Sequence, residues 1–529
     1  MQRLMEKSVS SGGALASDPA RKTLEFLRWY AEERVNPRLQ DERRSLSPAV
    51  VLDLASAGLL GLQVPREYDG LGLSHRDTYR VMTQLAAIDP NLFLTIGVHN
   101  SLGITPIQYG ASEAVRRELL PPIARGEEFV TSAITEPGMG SNLKLLSTTA
   151  HRSSDGSYTV NGAKTFISLG GWARHVNVFC RLAEGGEQAG TVGLVADTRG
   201  RGFDIGPEMM TFGMRAFPQN HLSFTDLSIP ARYLLGEEGR GLDVCKDAFT
   251  AGRVYLAAGG LGAMKRALQL AHRFAVQRSV ATGLLSENGK TQQILSESIA
   301  AARSVELLIL HLADLQDRGI PVDPSLPLTA KALGCELMWK VLDRCVQLLG
   351  GRGFLDTNIL GQFFRDYRVF RIFEGATEAV SQYQGTRFLA DEGRLPSLIV
   401  RDFDASPAVV ALADQVVQLG RSTTNSSRHR HVLADSMGTL VCWSLLAALT
   451  SSEAKKSGQP QDIMAADWCE QSLRAQLLGA RTAVSQGAEL PTGTEITHLI
   501  EAYGDTIGDF DHRAAGEHHG IDPLLRRSA

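Results

Sequence analysis

The octamer Arg371-Ile372-Phe373-Glu374-Gly375-Ala376-Thr377-Glu378 sets a carboxylate between an apolar pair and a glycine. Removing water from such a carboxylate raises its pKa and turns a weak base into a useful one near neutral pH. The glycine lets backbone approach a flat ligand closely. The plainer reading is a helix start, with Glu374 as a solvated acid matched to the helix dipole. Glu378, four residues on, then reads as a second, exposed acid. Thr135-Glu136-Pro137-Gly138-Met139-Gly140-Ser141-Asn142 is the next candidate. Its hydroxyls and glycines can aim backbone N–H groups at a phosphate, or form an ordinary turn. Gly259-Gly260-Leu261-Gly262 lies inside a helical pattern rather than after a strand. Close helix packing therefore explains it better than a dinucleotide fingerprint. Asp509, Asp511, His512, His518 and His519 crowd the C-terminal stretch. They read as a polar solvated tail, and no metal site is assigned.

Positioning these residues takes several domains, since 529 residues exceed what one core holds. A content of 43% hydrophobic and 21% charged residues describes a globular protein. With a net charge of −4 there is no basic field for nucleic acid; Arg428-His429-Arg430-His431 and Arg526-Arg527 read as solvated surface. Six cysteines without a C-x-x-C predict free thiols in a reducing compartment. Met1 to Ala20 lacks an apolar run and reads as a loose tail rather than a secretory signal.

Residues 21–128 show helical spacing, with a glycine turn at Tyr68-Asp69-Gly70-Leu71-Gly72, a helix from near His75 and a break at Asp89-Pro90. From 129 to 241 the period becomes two, with Asn161-Gly162 offering a hairpin turn, which predicts a compact β-barrel domain. From 242 to 395, Ala257, Leu261, Met264, Leu268, Ala271 and Ala275 form a bundle seam. Two more long helices follow, at about 292–317 and 328–350. Pro396 and Pro407 bracket an expected linker. The extension 396–529 reads as helical, and its uncharged run Ser436 to Ser452 as a buried or interfacial helix. The expected class is multidomain α+β: N-terminal helical domain, middle β-barrel, four-helix bundle and helical extension.

Together these stretches resemble the acyl-CoA dehydrogenase family, in order, from about 22 to 390. The resemblance runs through Val64-Pro65-Arg66-Glu67-Tyr68, Thr135 to Asn142 and Asn161-Gly162-Ala163-Lys164-Thr165-Phe166-Ile167-Ser168. Gly213-Met214-Arg215-Ala216, Leu235 to Gly241, Gln347 to Gly353 and Arg365-Asp366 continue it into the Glu374 octamer. The nearest branch is the very-long-chain type, by Gly97-Val98-His99-Asn100-Ser101-Leu102-Gly103, Arg368 to Gly375 and the extension containing Asp467-Trp468-Cys469.

The resemblance implies an FAD-dependent oxidation of an acyl-CoA to the trans-2-enoyl-CoA, with Glu374 as the base and the β-hydrogen leaving as hydride to flavin N5. Its Glu374 N–H and a flavin hydroxyl would hold the thioester oxygen. It places FAD on Ser132, Ile134, Thr135, Gly140, Ser141, Phe166, Ile167 and Ser168. Ala376, Thr377 and Glu378 join them, while Arg278, Gln347, Leu348, Gly350 and Gly351 would reach the FAD of a neighbouring subunit. Substrate falls to Ser141, Gly252, Arg253, Phe373 and Gly375. One branch carries its base just before that arginine; here the position is Gly252, which cannot serve. Asn142, Phe166, Ala376 and Ala281-Thr282 depart from the family's usual aspartate, tryptophan, threonine and Phe-Gly. The implied partners are an electron-transfer flavoprotein and further copies of the chain, as dimer or tetramer. The extension implies peripheral membrane contact, and the cellular setting implied is the cytoplasm. Two other readings share the fold: a dehydrogenase or oxidase of carrier-protein-bound acyl groups, and a non-catalytic assembly scaffold.

Overall fold

In the computed structural model, which describes residues 16–183, 190–391, 393–422, 427–486 and 491–508, three regions follow one another as the periodicity predicts, and a fourth packs on them. The first holds α1 (Asp18–Glu33), α2 (Pro37–Arg43), α3 (Pro48–Ser56), α4 (His75–Ile88), α5 (Pro90–Val98), α6 (Thr105–Gly110) and α7 (Glu113–Ala124). Asp89 ends α4 and caps α5: its carboxylate accepts from the N–H groups of Asn91 and Leu92. A π-helical turn, His99–Ile104, carries the chain from α5 to α6.

The second region is a mixed sheet of β1 (Phe129–Ala133), β2 (Thr149–Arg152), β3 (Tyr158–Ser168), β4 (Ala173–Leu182), β5 (Thr191–Asp197), β6 (Phe203–Glu208), β7 (Gln219–Ile229) and β8 (Leu234–Gly239). The order is β6-β7-β3-β2-β4-β5-β8, with β1 parallel to β4. The expected barrel is thus a sheet folded over one core, whose ends β6 and β8 are not hydrogen-bonded to each other among the described residues. Asn161-Gly162 is not the hairpin turn expected. The chain continues straight through it in β3, because Gly162 takes φ 143° and passes tight against Thr148. A Cβ there would stand 2.7 Å from the Thr148 Cα.

The third region contains α8 (Gly241–Ala275), a hairpin of β9 (Ser279–Val280) and β10 (Gly283–Leu284), then α9 (Gly289–Asp317), α10 (Ser325–Leu349), α11 (Ile359–Tyr367) and α12 (Thr377–Ala390). The glycines of α8 serve close packing, as expected: a Cβ on Gly259 would meet the Phe93 ring at 2.5 Å, and one on Gly262 the Thr83 carbonyl oxygen at 2.2 Å.

The extension holds α13 (Arg394–Phe403), α14 (Pro407–Ser422), α15 (Ser427–Ser457), α16 (Pro460–Gln486), α17 (Gly493–Glu501) and α18 (Gly504–Ile507). The linker expected between Pro396 and Pro407 is largely helix. Pro396 lies in the first turn of α13, where its missing N–H costs nothing, and Leu395, Leu398, Ile399 and Phe403 are buried. Helix α15 crosses α12 at two glycines. A Cβ on Gly385 would stand 1.7 Å from the Ala434 oxygen, and one on Gly438 1.8 Å from the Ser381 oxygen. Arg303 of α9 pairs at 2.6 Å with the buried Asp462 of α16. One apolar core consequently runs through the N-terminal helices, the bundle and the extension. The stretch Arg430–Ser457 contains an 18-residue window with a mean hydropathy of 1.7, apolar enough to cross a membrane, but 72% of that window is buried in protein. The acid and histidine cluster from Asp509 to His519, the Arg526-Arg527 pair and the first fifteen residues of the expected tail lie outside the described residues.

Candidate active site

Glu374 sits in the turn between α11 and α12. Its φ is 56° and that of Gly375 is 97°. Two successive positive φ values reverse the chain, and for a glutamate that conformation costs on the order of 1 kcal/mol or more. Gly375 is required here: a Cβ would also press within 2.8 Å of Val380 Cγ2. Lys331 of α10, wholly buried, donates to the Phe370 carbonyl at 2.5 Å and fastens the turn from behind. Phe373 packs its ring on Phe370, with centroids 5.5 Å apart.

The turn presses the Glu374 carboxyl against α8. Oε2 lies 3.4 Å from where a Cβ on Gly252 would stand, and Leu102 borders the same point. A methyl group at 252 would touch the carboxyl in ordinary van der Waals contact. Oε2 is buried with no hydrogen-bond partner, and so is Nε of Arg253 on the next residue of α8. Desolvation pushes the Glu374 pKa up to about 7, against the pull of the Arg253 and Lys331 cations. Burial lowers the Arg253 pKa as well. The Glu374 N–H makes no hydrogen bond among the described residues. This corner therefore holds an unpaired acid, an unpaired guanidinium and a free backbone donor.

The Thr135–Asn142 loop is positioned by a pair the sequence reading missed. Glu136 and Lys164 face each other at 2.8 Å with almost no exposure. Lys164 Nζ also donates to the carbonyls of Ile134 (3.0 Å) and Phe179 (2.7 Å). Glu136 accepts from the Ser147 N–H and Oγ, both at 2.6 Å, and from the Thr148 N–H at 2.9 Å. Those donors hold its pKa down at about 2, despite burial. Glu136 and Met139 exchange backbone hydrogen bonds at 3.0 Å and close a tight turn. Gly140 and Ser141 stand exposed beyond it, and a Cβ on Gly138 or Gly140 would meet nothing within 4 Å. Period two could have found Lys164, because it shares a face of β3 with the core residues Tyr158 and Val160. Lys331 had a similar signal, lying among apolar residues on both adjacent turns of α10.

Ser132 donates to the Leu102 carbonyl at 2.6 Å and joins β1 to the π-helical turn beside Glu374. The register of β3 breaks between Lys164 and Ile167. Phe166, at φ 56°, is left 63% exposed, while Ile167 turns into the β core and Ser168 is half-buried. Thr165 donates its N–H to the Thr135 carbonyl at 2.9 Å, tying the Phe166 segment to the loop. Ala376 caps α12, Thr377 is half-buried and Glu378 is exposed. Arg278 lies exposed ahead of the β9–β10 hairpin. Gln347, Gly350 and Gly351 are exposed and Leu348 half-buried at the end of α10, where Gly350 takes φ 57° and Phe354 is 91% exposed. The fold thus gathers Glu374, Phe373, Gly375, Gly252 and Arg253 at one point. Arg278 and the Gln347–Gly351 stretch lie at the surface, at helix ends.

Three family profiles match in order: "Acyl-CoA dehydrogenase, N-terminal domain" over residues 17–127, "middle domain" over 131–227 and "C-terminal domain" over 239–383. The chain is 29% identical over 371 residues to the very long-chain specific acyl-CoA dehydrogenase of Rattus norvegicus. That match covers 69% of this chain and 57% of the rat protein's length. Butyryl-CoA dehydrogenase from Megasphaera elsdenii superposes with a TM-score of 0.68 at 25% identity, over 71% of this chain and all of that one. An acyl-CoA dehydrogenase complexed with FAD from Bacillus anthracis gives a TM-score of 0.76 at 20% identity. It covers 95% of this chain and 93% of its own, so the likeness in fold includes the extension.

Proposed function

This chain belongs to the acyl-CoA dehydrogenase family, and from that premise we propose that it is an FAD-dependent enzyme that oxidises a fatty acyl-CoA across its α and β carbons, with Glu374 as the base. The observation that carries the reading is the Glu374 carboxyl: buried, unpartnered at Oε2 and with its pKa near 7. Such a group holds a usable fraction of carboxylate at neutral pH and is basic enough to take a proton from carbon. Arg253 and Lys331 keep that pKa from rising further. The free N–H of Glu374 suits the thioester oxygen, where charge develops as the α-proton leaves. Burial withdraws Oε2 from water.

The residues present suit a flavin. Phe166 offers an exposed aromatic face, and the glycines at 138, 140, 350 and 351 leave open space. Ser132 to Ser141, Phe166 to Ser168 and Ala376 to Glu378 would hold it, with Arg278 and Gln347 to Gly351 serving a neighbouring copy. The bound cofactor would supply the acceptor for the β-hydride. The reading extends to an electron-transfer flavoprotein as acceptor, a homo-oligomer and a role in fatty-acid β-oxidation. Six free, buried cysteines support a reducing setting such as the cytoplasm. Membrane contact by the extension would fall on α17 and the turn after it, where Leu499, Ile500 and Tyr503 are exposed.

The test is Glu374→Gln in stopped flow. The variant should bind FAD, while its reduction by an acyl-CoA falls by about a thousandfold or more. Reduction at the wild-type rate would remove the assignment. Running wild type against an acyl-CoA series from short to very long then reads the chain length.

A further inference from the structure

A groove of about 510 Å³ opens between α1, α4, α8 and α9, and none of its lining residues belongs to the Glu374 site. Its floor is apolar, formed by Leu24, Ala87, Leu261, Ile309 and Ala313. Its walls carry Arg28, Arg76, Arg80, Lys265 and Arg266 against one carboxylate, Glu306. Five cations facing one acid stand out in a chain whose net charge is −4.

The pairing of each cation decides what the groove offers. Glu306 is shared by Lys265 at 2.5 Å and Arg303 at 3.0 Å. Arg80 pairs with Asp77 at 3.1 Å. Arg266 has no carboxylate: its Nε donates to the Ala87 carbonyl at 3.0 Å and its Nη1 to Gln269 at 2.6 Å. It is half-buried, and burial together with nearby Arg273 lowers its pKa, as for a cation still short of an anion. The side chains of Arg28 and Arg76 make no ion pair or hydrogen bond among the described residues. Two guanidiniums with uncommitted side chains, Arg28 and Arg76, and a third, Arg266, whose Nη2 alone stays uncommitted, therefore border an apolar floor, with the Asp317 carboxylate held on the Arg76 backbone N–H at 3.1 Å. Guanidinium forks match phosphate oxygens in pairs, and a low-dielectric wall focuses their field into the groove. The volume falls in the range that encloses a small ligand.

We propose that this groove is a second ligand site, which takes a phosphate-bearing small molecule of nucleotide size, its phosphates on Arg28, Arg76 and Arg266 and its uncharged part on the apolar floor. The site is separate from Glu374: Arg266 lies thirteen residues beyond Arg253 on α8, roughly 20 Å along the helix.

Calorimetric titration of the full chain with ADP, inorganic pyrophosphate and palmitate tests it. ADP should bind, pyrophosphate should compete with it, and Arg28→Glu/Arg76→Glu should weaken ADP at least about tenfold, since removing a charge-assisted hydrogen bond costs a comparable factor. Arg28 is exposed and Arg76 half-buried. Should the double variant melt early, Arg28→Ala alone should still weaken ADP about threefold. An ADP affinity unchanged in these variants overturns the proposal. So does the absence of heat with both ADP and pyrophosphate at millimolar concentration, or palmitate binding in their place. The titration involves no turnover, so its failure leaves the Glu374 assignment standing, and failure of that assignment leaves the groove untouched.

Discussion

Glu136 and Glu374 are both glutamates whose carboxyl groups are withdrawn from water, and the fold treats them in opposite ways. Glu136 receives an ammonium, a hydroxyl and two backbone N–H groups. Its pKa falls to about 2, and it fixes a loop. Glu374 receives no hydrogen bond at Oε2, and its pKa climbs to about 7. Burial alone therefore does not set a carboxylate's role; the number of donors aimed at it does. A satisfied acid is structural. An unsatisfied one is held in a state that only a ligand would relieve, which is how perturbed groups come to mark functional sites.

The two glutamates differ most in stability at Glu136. Lys164→Met should destabilise the chain by about 3–5 kcal/mol in chemical denaturation, because it strands a buried carboxylate. Adding Glu136→Gln should recover part of that loss; no recovery would mean that the pair is not what holds the loop. The second test has the opposite sign. Glu374→Gln should make the fold more stable than wild type at pH 8, by up to about 3 kcal/mol. The folded pKa of Glu374 lies above its ordinary value of 4.5, so wild type loses stability as pH rises from 4.5 to about 7. For Glu136 the folded pKa lies below 4.5, so its contribution is present above 4.5 and vanishes as pH falls towards 2. A pH–stability series on each variant should separate the two windows, and overlapping windows would erase the distinction. The smallest effect is expected from Arg253→Met. Losing that cation should move the midpoint of the pH–rate profile for flavin reduction to higher pH, and a midpoint moved downward would contradict the electrostatics.

Much of this was legible in the sequence. The change from helical spacing to period two and back gave the order helical, β, helical, and the glycines of α8 read correctly as packing. The octamer marked Glu374 as the candidate, although only the fold shows which way its carboxyl turns. That direction comes from the positive φ at 374 and 375 and from a lysine 43 positions earlier, neither of which is a local pattern. Asn161-Gly162 misled because a bulged strand and a hairpin turn use the same two residues. Pro396 misled because the first turn of a helix accepts proline as readily as a linker does. How the extension seats on α12 was not legible, since Gly385 and Gly438 matter only once the two helices meet.

Burial of Oε2 without donors makes Glu374 a base poised near neutrality. Carbon-13 NMR of the protein labelled at glutamate side-chain carboxyls, compared with Glu374→Gln, measures this directly. One carboxyl signal should titrate near pH 7 and disappear in the variant. A spectrum in which every glutamate titrates below about 5 would contradict it.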